Sequence, residues 1–174
     1  MGRWRPPPEK SSPYITAGGA EKLKTDLSAL WQLRRTDVVP ALSAAAAEGD
    51  RSENAEYIYR KKQLGEIDRK IRYISKRLDE IKVVDLVPAN QEKVYFGAYI
   101  DVEDEQGKVN HYRIVGADET DARQGFISVD SPLARALMGK EEGDEITVEL
   151  PGGPANICLT GICYERDKPD KNIA

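Results

Sequence analysis

The stretch Gly49-Asp50-Arg51-Ser52-Glu53-Asn54-Ala55-Glu56-Tyr57 separates two helical patterns, and its reading decides the fold. Downstream, Leu64, Ile67, Ile71, Ile74, Leu78 and Ile81 recur at alternating steps of three and four, which is a heptad seam. Upstream, Leu23, Leu27, Leu30, Val38, Leu42 and Ala45 answer it less regularly. Arg34 falls on that stripe, and Pro40 lies inside the helix, where it should kink the chain or mark a local break. A glycine bend between two seams of similar length favours an intramolecular antiparallel hairpin over a dimerising coiled coil, and so predicts a monomer. Ala44 to Ala47 keep the bend slender. A second helix from Ser52 to Lys82 would have 31 residues, an arm of about 45 Å at the α-helical rise.

The rest of the chain organises around this hairpin. With 174 residues and 40 % hydrophobic content, it has room for one medium domain or two small ones in a folded protein. No run approaches the roughly 18 apolar residues of a membrane helix, and the basic, proline-rich start Met1-Gly2-Arg3-Trp4-Arg5-Pro6-Pro7-Pro8 has no apolar core behind it, so a cytoplasmic location is expected. Composition predicts a mobile tail over 1–14, the helical hairpin over 15–83, a β domain over 84–166 and a disordered end over 167–174. Strands are expected at Val94–Glu103, Asn110–Val115, Phe126–Val129, Glu145–Glu149 and Ala155–Arg166. The alternation in Tyr99-Ile100-Asp101-Val102 points to an antiparallel sheet with one solvated face. Ser131 as cap, Pro132 at the first helical position and Gly139 as stop predict a short helix over it. The fold class is therefore α+β. Cys158 and Cys163, in an apolar run, read as buried thiols, and His111 as an ordinary strand residue.

Two groups of side chains carry candidate chemistry. At the bend, Asp50 and Glu53 have capping-box spacing, and Ser52 could be the helix cap instead. The same two carboxylates can also jointly hold a hard cation such as Mg2+ and orient a water. They are too few for a self-contained site, so they would have to complete one supplied by a partner. Beyond the bend, Lys62, Arg69 and Lys76 project from the outermost heptad face with Lys70, Arg72 and Arg77 beside them. Between Arg60 and Lys82 there are nine basic residues against four acidic in a chain of net charge −4. Sign segregation of this kind suits a polyanion, with Tyr57, Tyr59 and Tyr73 as possible stacking rings, although a solvated face is the plainer reading. The β domain carries no triad, phosphate loop or metal-ligand cluster and reads as a docking module.

These residues resemble the bacterial transcript-cleavage factors of the Gre group. The resemblance rests on the bend motif Gly49 to Tyr57, on Glu21-Lys22-Leu23-Lys24 and on Ile127 to Leu137, and it spans about residues 14 to 166. Arg51-Ser52, Trp31 and the basic ridge look more like the GreB-like branch. The resemblance implies an accessory factor, not itself an enzyme, whose coiled coil enters the secondary channel of RNA polymerase. There Asp50 and Glu53 would help hold a catalytic Mg2+, supplied mainly by the polymerase, and activate water to cleave the 3′ end of backtracked nascent RNA. It further implies an FK506-binding-protein-like β domain that docks through Asp130, Ser131 and Pro132, and guidance of extruded RNA by Arg60, Lys61, Lys62, Arg69, Lys70 and Arg72. The tail before Tyr14 is longer than usual for the group, and its helix-one proline usually lies nearer Arg34-Arg35 than Pro40 does. The alternatives are a channel-binding regulator without cleavage activity, or a prolyl isomerase or chaperone based on residues 84 to 166; shared architecture alone is poor support for the latter.

Overall fold

The computed structural model describes residues 10–48, 53–85, 87–150 and 152–164. The chain divides into two compact units, one made of Gly18–Ile81 and the other of Met1–Ala17 with Lys82–Ala174. The chain passes from the second unit into the first and back again.

The first unit is the hairpin. Helix α1 (Ala17–Leu33) runs into a π-helical turn (Arg34–Val38) and then α2 (Val39–Ala47); α3 (Ala55–Glu80) returns. Contacts at Ala45 with Asn54, Asp37 with Arg60, and Arg34 with Asp68 step apart in sequence as they descend, which fixes an antiparallel pair. Val38, Ile67 and Ile71 are buried between the helices, with Leu27, Leu30 and Leu64 packed around them. Arg34, out of place on an apolar stripe, is accommodated by a 2.8 Å bond from its Nε to Asp68 Oδ1. Helix α3 has 26 residues, about 39 Å at the α-helical rise, and is shorter than expected because it starts at Ala55 rather than Ser52 and ends at Glu80 rather than Lys82.

The expected break at Pro40 appears one turn upstream, in the π turn. Pro40 has no N–H to donate back, and the Val39 N–H reaches five residues to the Arg34 carbonyl, widening the turn before the proline. The wide turn also takes up one extra residue. Leu30 and Val38 are eight apart, where a heptad would give seven, and the π turn brings Val38 back to the seam, fully buried. Arg77, expected beside the basic ridge, is buried at 8 % exposure. It follows Ile74 by three and precedes Ile81 by four, so the helical period turns it toward the seam.

The second unit is built on a five-stranded sheet of order β5-β4-β3-β7-β6, with β3 at Tyr99–Asp104, β4 at Val109–Val115, β5 at Phe126–Ser128, β6 at Glu145–Leu150 and β7 at Gly153–Cys163. All pairs are antiparallel except β4 with β5, an edge pair that runs parallel. Ile100 and Val102 point into the core with Ile114, Val148 and Leu159, and α4 (Pro132–Leu137) covers them with Ala134 and Leu137. Ser131 caps α4 by accepting from the Ala134 amide at 3.2 Å, Pro132 opens it, and Gly139 at φ +80° follows it, as the sequence predicts.

The unit also holds β1 (Tyr14–Thr16) and β2 (Lys82–Val84), a parallel pair at the two points where the chain crosses between units. Glu119 secures this pair: one oxygen accepts from the Thr16 amide at 2.9 Å and the Gly116 amide at 3.0 Å, the other from the Thr16 hydroxyl. Gly116 has to be glycine here, since a Cβ would lie 2.5 Å from the Tyr14 carbonyl oxygen. Residues 12 to 14, placed in the tail by composition, are tied down: the Ser12 amide donates to Asp130 at 2.8 Å and Tyr14 pairs with Lys82. Residues 1–9 and 165–174 lie outside the described residues. The thiols are not buried as expected. Cys158 is half-buried and Cys163 exposed, because in β7 it is Leu159 that takes the core side. His111 lies on the solvated face of β4, its Nδ1 2.6 Å from Asp101 on the paired strand.

Candidate functional site

Asn54, which the sequence reading passed over, organises the bend. Its Oδ1 accepts from the Tyr57 amide at 3.0 Å, making it the cap of α3, and its Nδ2 donates to the Ala45 carbonyl at 3.0 Å. A capping residue can thus close one helix and bind the other, satisfying an orphan donor of α3 and adding a second bond to the Ala45 carbonyl, which also accepts from the Glu48 amide at 3.3 Å. The signal was present, since asparagine is among the best N-caps. The acidic residues nearby attracted the capping role instead.

This displaces the capping box. Glu53 precedes the cap, outside the helix, where it cannot serve as the third helical residue that such a box requires. Ser52 is not the cap either. Glu53 is exposed, so its carboxylate is presented to solvent at the bend. Asp50 lies outside the described residues, with Gly49, Arg51 and Ser52.

Below the bend the predicted ridge residues fall into two kinds. Arg60 is committed inside the hairpin: its Nε donates to Glu56 at 2.7 Å and its Nη1 to Asp37 at 3.2 Å. The Glu56 hydrogen bond, with Asp37 adding to it, holds the Arg60 pKa above its ordinary value. Lys61 lies 5.9 Å from the Tyr57 ring centroid. Lys62, Arg69, Lys70, Arg72 and Lys76 are exposed along α3, and none of these five is in an ion pair with another described residue. Tyr59 and Tyr73 are more than half exposed on the same helix. In the β unit, Asp130 and Ser131 are half-buried and hold the local backbone, while Pro132 is exposed.

No group of three or more metal-ligating side chains occurs among the described residues, and no described helix is long and apolar enough to cross a membrane. A slender hairpin with an exposed acid beside its bend, joined in sequence to a small sheet unit, is the two-unit organisation that the sequence comparisons assign to transcription elongation factors. A model described as "Transcription elongation factor, N-terminal" matches residues 13–83, and one described as "Transcription elongation factor, GreA/GreB, C-term" matches residues 89–164. The chain is 56 % identical over 165 residues to "Transcription elongation factor GreB" of Xanthomonas axonopodis pv. citri, covering 94 % of this chain and 98 % of that protein. It is 54 % identical over 153 residues to the protein of the same name from Pseudomonas aeruginosa, covering 88 % and 91 %. To that of Pasteurella multocida it is 50 % identical over 155 residues, covering 89 % and 98 %. The chain belongs to the GreA/GreB family of transcription elongation factors.

Proposed function

We propose that the protein acts on bacterial RNA polymerase as an accessory factor: the hairpin bend enters the secondary channel, and Asp50 and Glu53 there promote cleavage of the 3′ end of backtracked RNA. The observation that carries this reading is Glu53. It is an exposed carboxylate at the bend whose structural duty has been taken over by Asn54. One hard oxygen donor there, or two with Asp50, suits a share in a Mg2+ site and is too little to hold the ion alone. The metal, when bound by polymerase and factor together, supplies Lewis-acid activation of water. The protein's own part is to place Glu53 and Asp50, orient the attacking water and accept its hydrogen bonds.

Lys62, Arg69, Lys70 and Arg72, exposed in a row along α3, are the residues proposed to meet the phosphates of extruded RNA. Arg60 is assigned instead to holding the hairpin together. The Asp130-Ser131-Pro132 turn, braced through Ser12 and the α4 cap, is proposed as the contact with the polymerase surface, with Pro132 its exposed element.

The test uses stalled, backtracked polymerase complexes with Mg2+ and full-length protein. Cleavage is expected with the wild type, none with the protein and RNA in the absence of polymerase, and a loss of cleavage without loss of binding for the Asp50→Asn, Glu53→Gln double variant. Undiminished cleavage by that variant would defeat the assignment. Binding by the wild type without any cleavage would leave a channel-binding regulator.

A further inference from the structure

A cleft of about 550 Å³ lies beside the π turn, lined by Ser28, Trp31, Gln32, Arg34, Arg35 and Val39. Widened turns of this kind occur frequently at functional sites. Trp31 is 50 % exposed and Val39 38 % exposed, so an indole and an aliphatic side chain face solvent together. Arg34 is fixed beside the indole: its Nε is held by Asp68 at 2.8 Å, and its guanidinium carbon lies 5.6 Å from the Trp31 ring centroid. Arg35 is exposed and in no ion pair with another described residue. The volume falls within the roughly 300–1,000 Å³ of small-molecule sites.

We infer that this cleft is a stacking site for an unpaired base of single-stranded RNA. An indole supplies a π-face that any base can cover, a guanidinium beside it adds a second planar surface and a charge for phosphate, and Ser28 and Gln32 offer hydrogen-bonding groups at the rim. A purely apolar peptide would have no use for Arg35. Asp68, which anchors Arg34, immediately precedes Arg69 and Lys70 of the proposed phosphate track in the sequence of α3. The inference rests on the proposed action on extruded RNA, and adds to the phosphate-binding ridge a place on the same unit where a base, rather than a phosphate, would be gripped.

The experiment uses the full chain carrying Trp4→Phe, which leaves Trp31 as the sole tryptophan, since the sequence has 2. The probes are a short oligoadenylate and an abasic ribose-phosphate oligomer of equal length, at low salt. Oligoadenylate should quench Trp31 emission and the abasic oligomer should not. Trp31→Ala should weaken oligoadenylate binding about tenfold, in line with one lost stacked base, and leave abasic binding unchanged; Trp31→Phe should keep most of the affinity. The Lys62→Glu, Arg69→Glu variant should weaken binding of both oligomers while the quench at saturation with oligoadenylate persists. Base-independent loss on Trp31→Ala, or oligoadenylate binding without quench, overturns the stacking site and leaves the ridge standing. Unaltered affinity in the ridge variant overturns the ridge alone, and absence of any binding overturns both.

Discussion

Asn54 binds Ala45 across the bend: the amide nitrogen of one donates to the carbonyl of the other at 3.0 Å, while the Asn54 oxygen caps α3 at the Tyr57 amide. Asn54→Ala removes both bonds and should cost about 1 to 2 kcal/mol, read as a lower urea midpoint of the helical signal. Asn54→Asp keeps the acceptor but not the donor and should fall between the two.

Glu53, in contrast, should be silent in stability. Glu53→Gln is expected to shift unfolding by less than about 0.5 kcal/mol, because the residue is exposed and lies outside α3. A loss near that of Asn54→Ala would return Glu53 to a capping role.

Ile71 is 5 % exposed at the centre of the hairpin seam, packed with Val38 and Ile67. Ile71→Ala should cost about 3 kcal/mol, measured by thermal melting followed by circular dichroism. An effect under about 1 kcal/mol would mean that the two helices do not rely on that cluster.

Glu119 gathers the Thr16 amide, the Thr16 hydroxyl and the Gly116 amide. Glu119→Ala leaves these donors without their acceptor and should cost about 2 kcal/mol. Hydrogen exchange at the Thr16 amide, now protected by Glu119, should accelerate; unchanged protection would mean the carboxylate is not what holds β1.

Tyr164 donates to the Lys93 carbonyl and accepts from the Tyr95 amide at 2.7 Å. Burial is the main cause that pushes its phenol above the ordinary value, partly offset by the bond from Tyr95. The folded state thus favours the neutral phenol, and this contribution is complete below about pH 10, the unfolded value, and lost as pH rises through the folded pKa. Urea unfolding across the alkaline range should show a smaller loss for Tyr164→Phe than for the wild type. Equal loss would place the alkaline sensitivity elsewhere.

Much of this architecture was legible in the sequence because periodicity reports directly on burial. The run Leu64 to Ile81 fixed α3 and its seam face, the alternation around Ile100 and Val102 fixed which side of the sheet is packed, and Ser131-Pro132 with Gly139 bounded α4. The misses have physical causes. The one-residue slip between Leu30 and Val38 recorded a π turn, but a proline nearby offered a simpler account of the irregularity. The parallel strands β1 and β2 are three residues each and 65 residues apart between Thr16 and Lys82, too short and too distant for local propensity to detect. At the bend, composition placed acids where a cap was needed, and it could not tell that Asn54, bonded on both sides, would release Glu53 from that duty. Arg60 was counted with the ridge because a charge's partner on another helix is invisible in one dimension.

The hydrogen-bonded pairing of β1 with β2 means that the chain's departure and its return are stitched to each other on the sheet unit itself. Insertion or removal of matched heptads in both helices would therefore change the length of the hairpin in steps of about 10 Å without touching that pairing. Hairpin length is thus an independently adjustable dimension of its own unit, set by the seam.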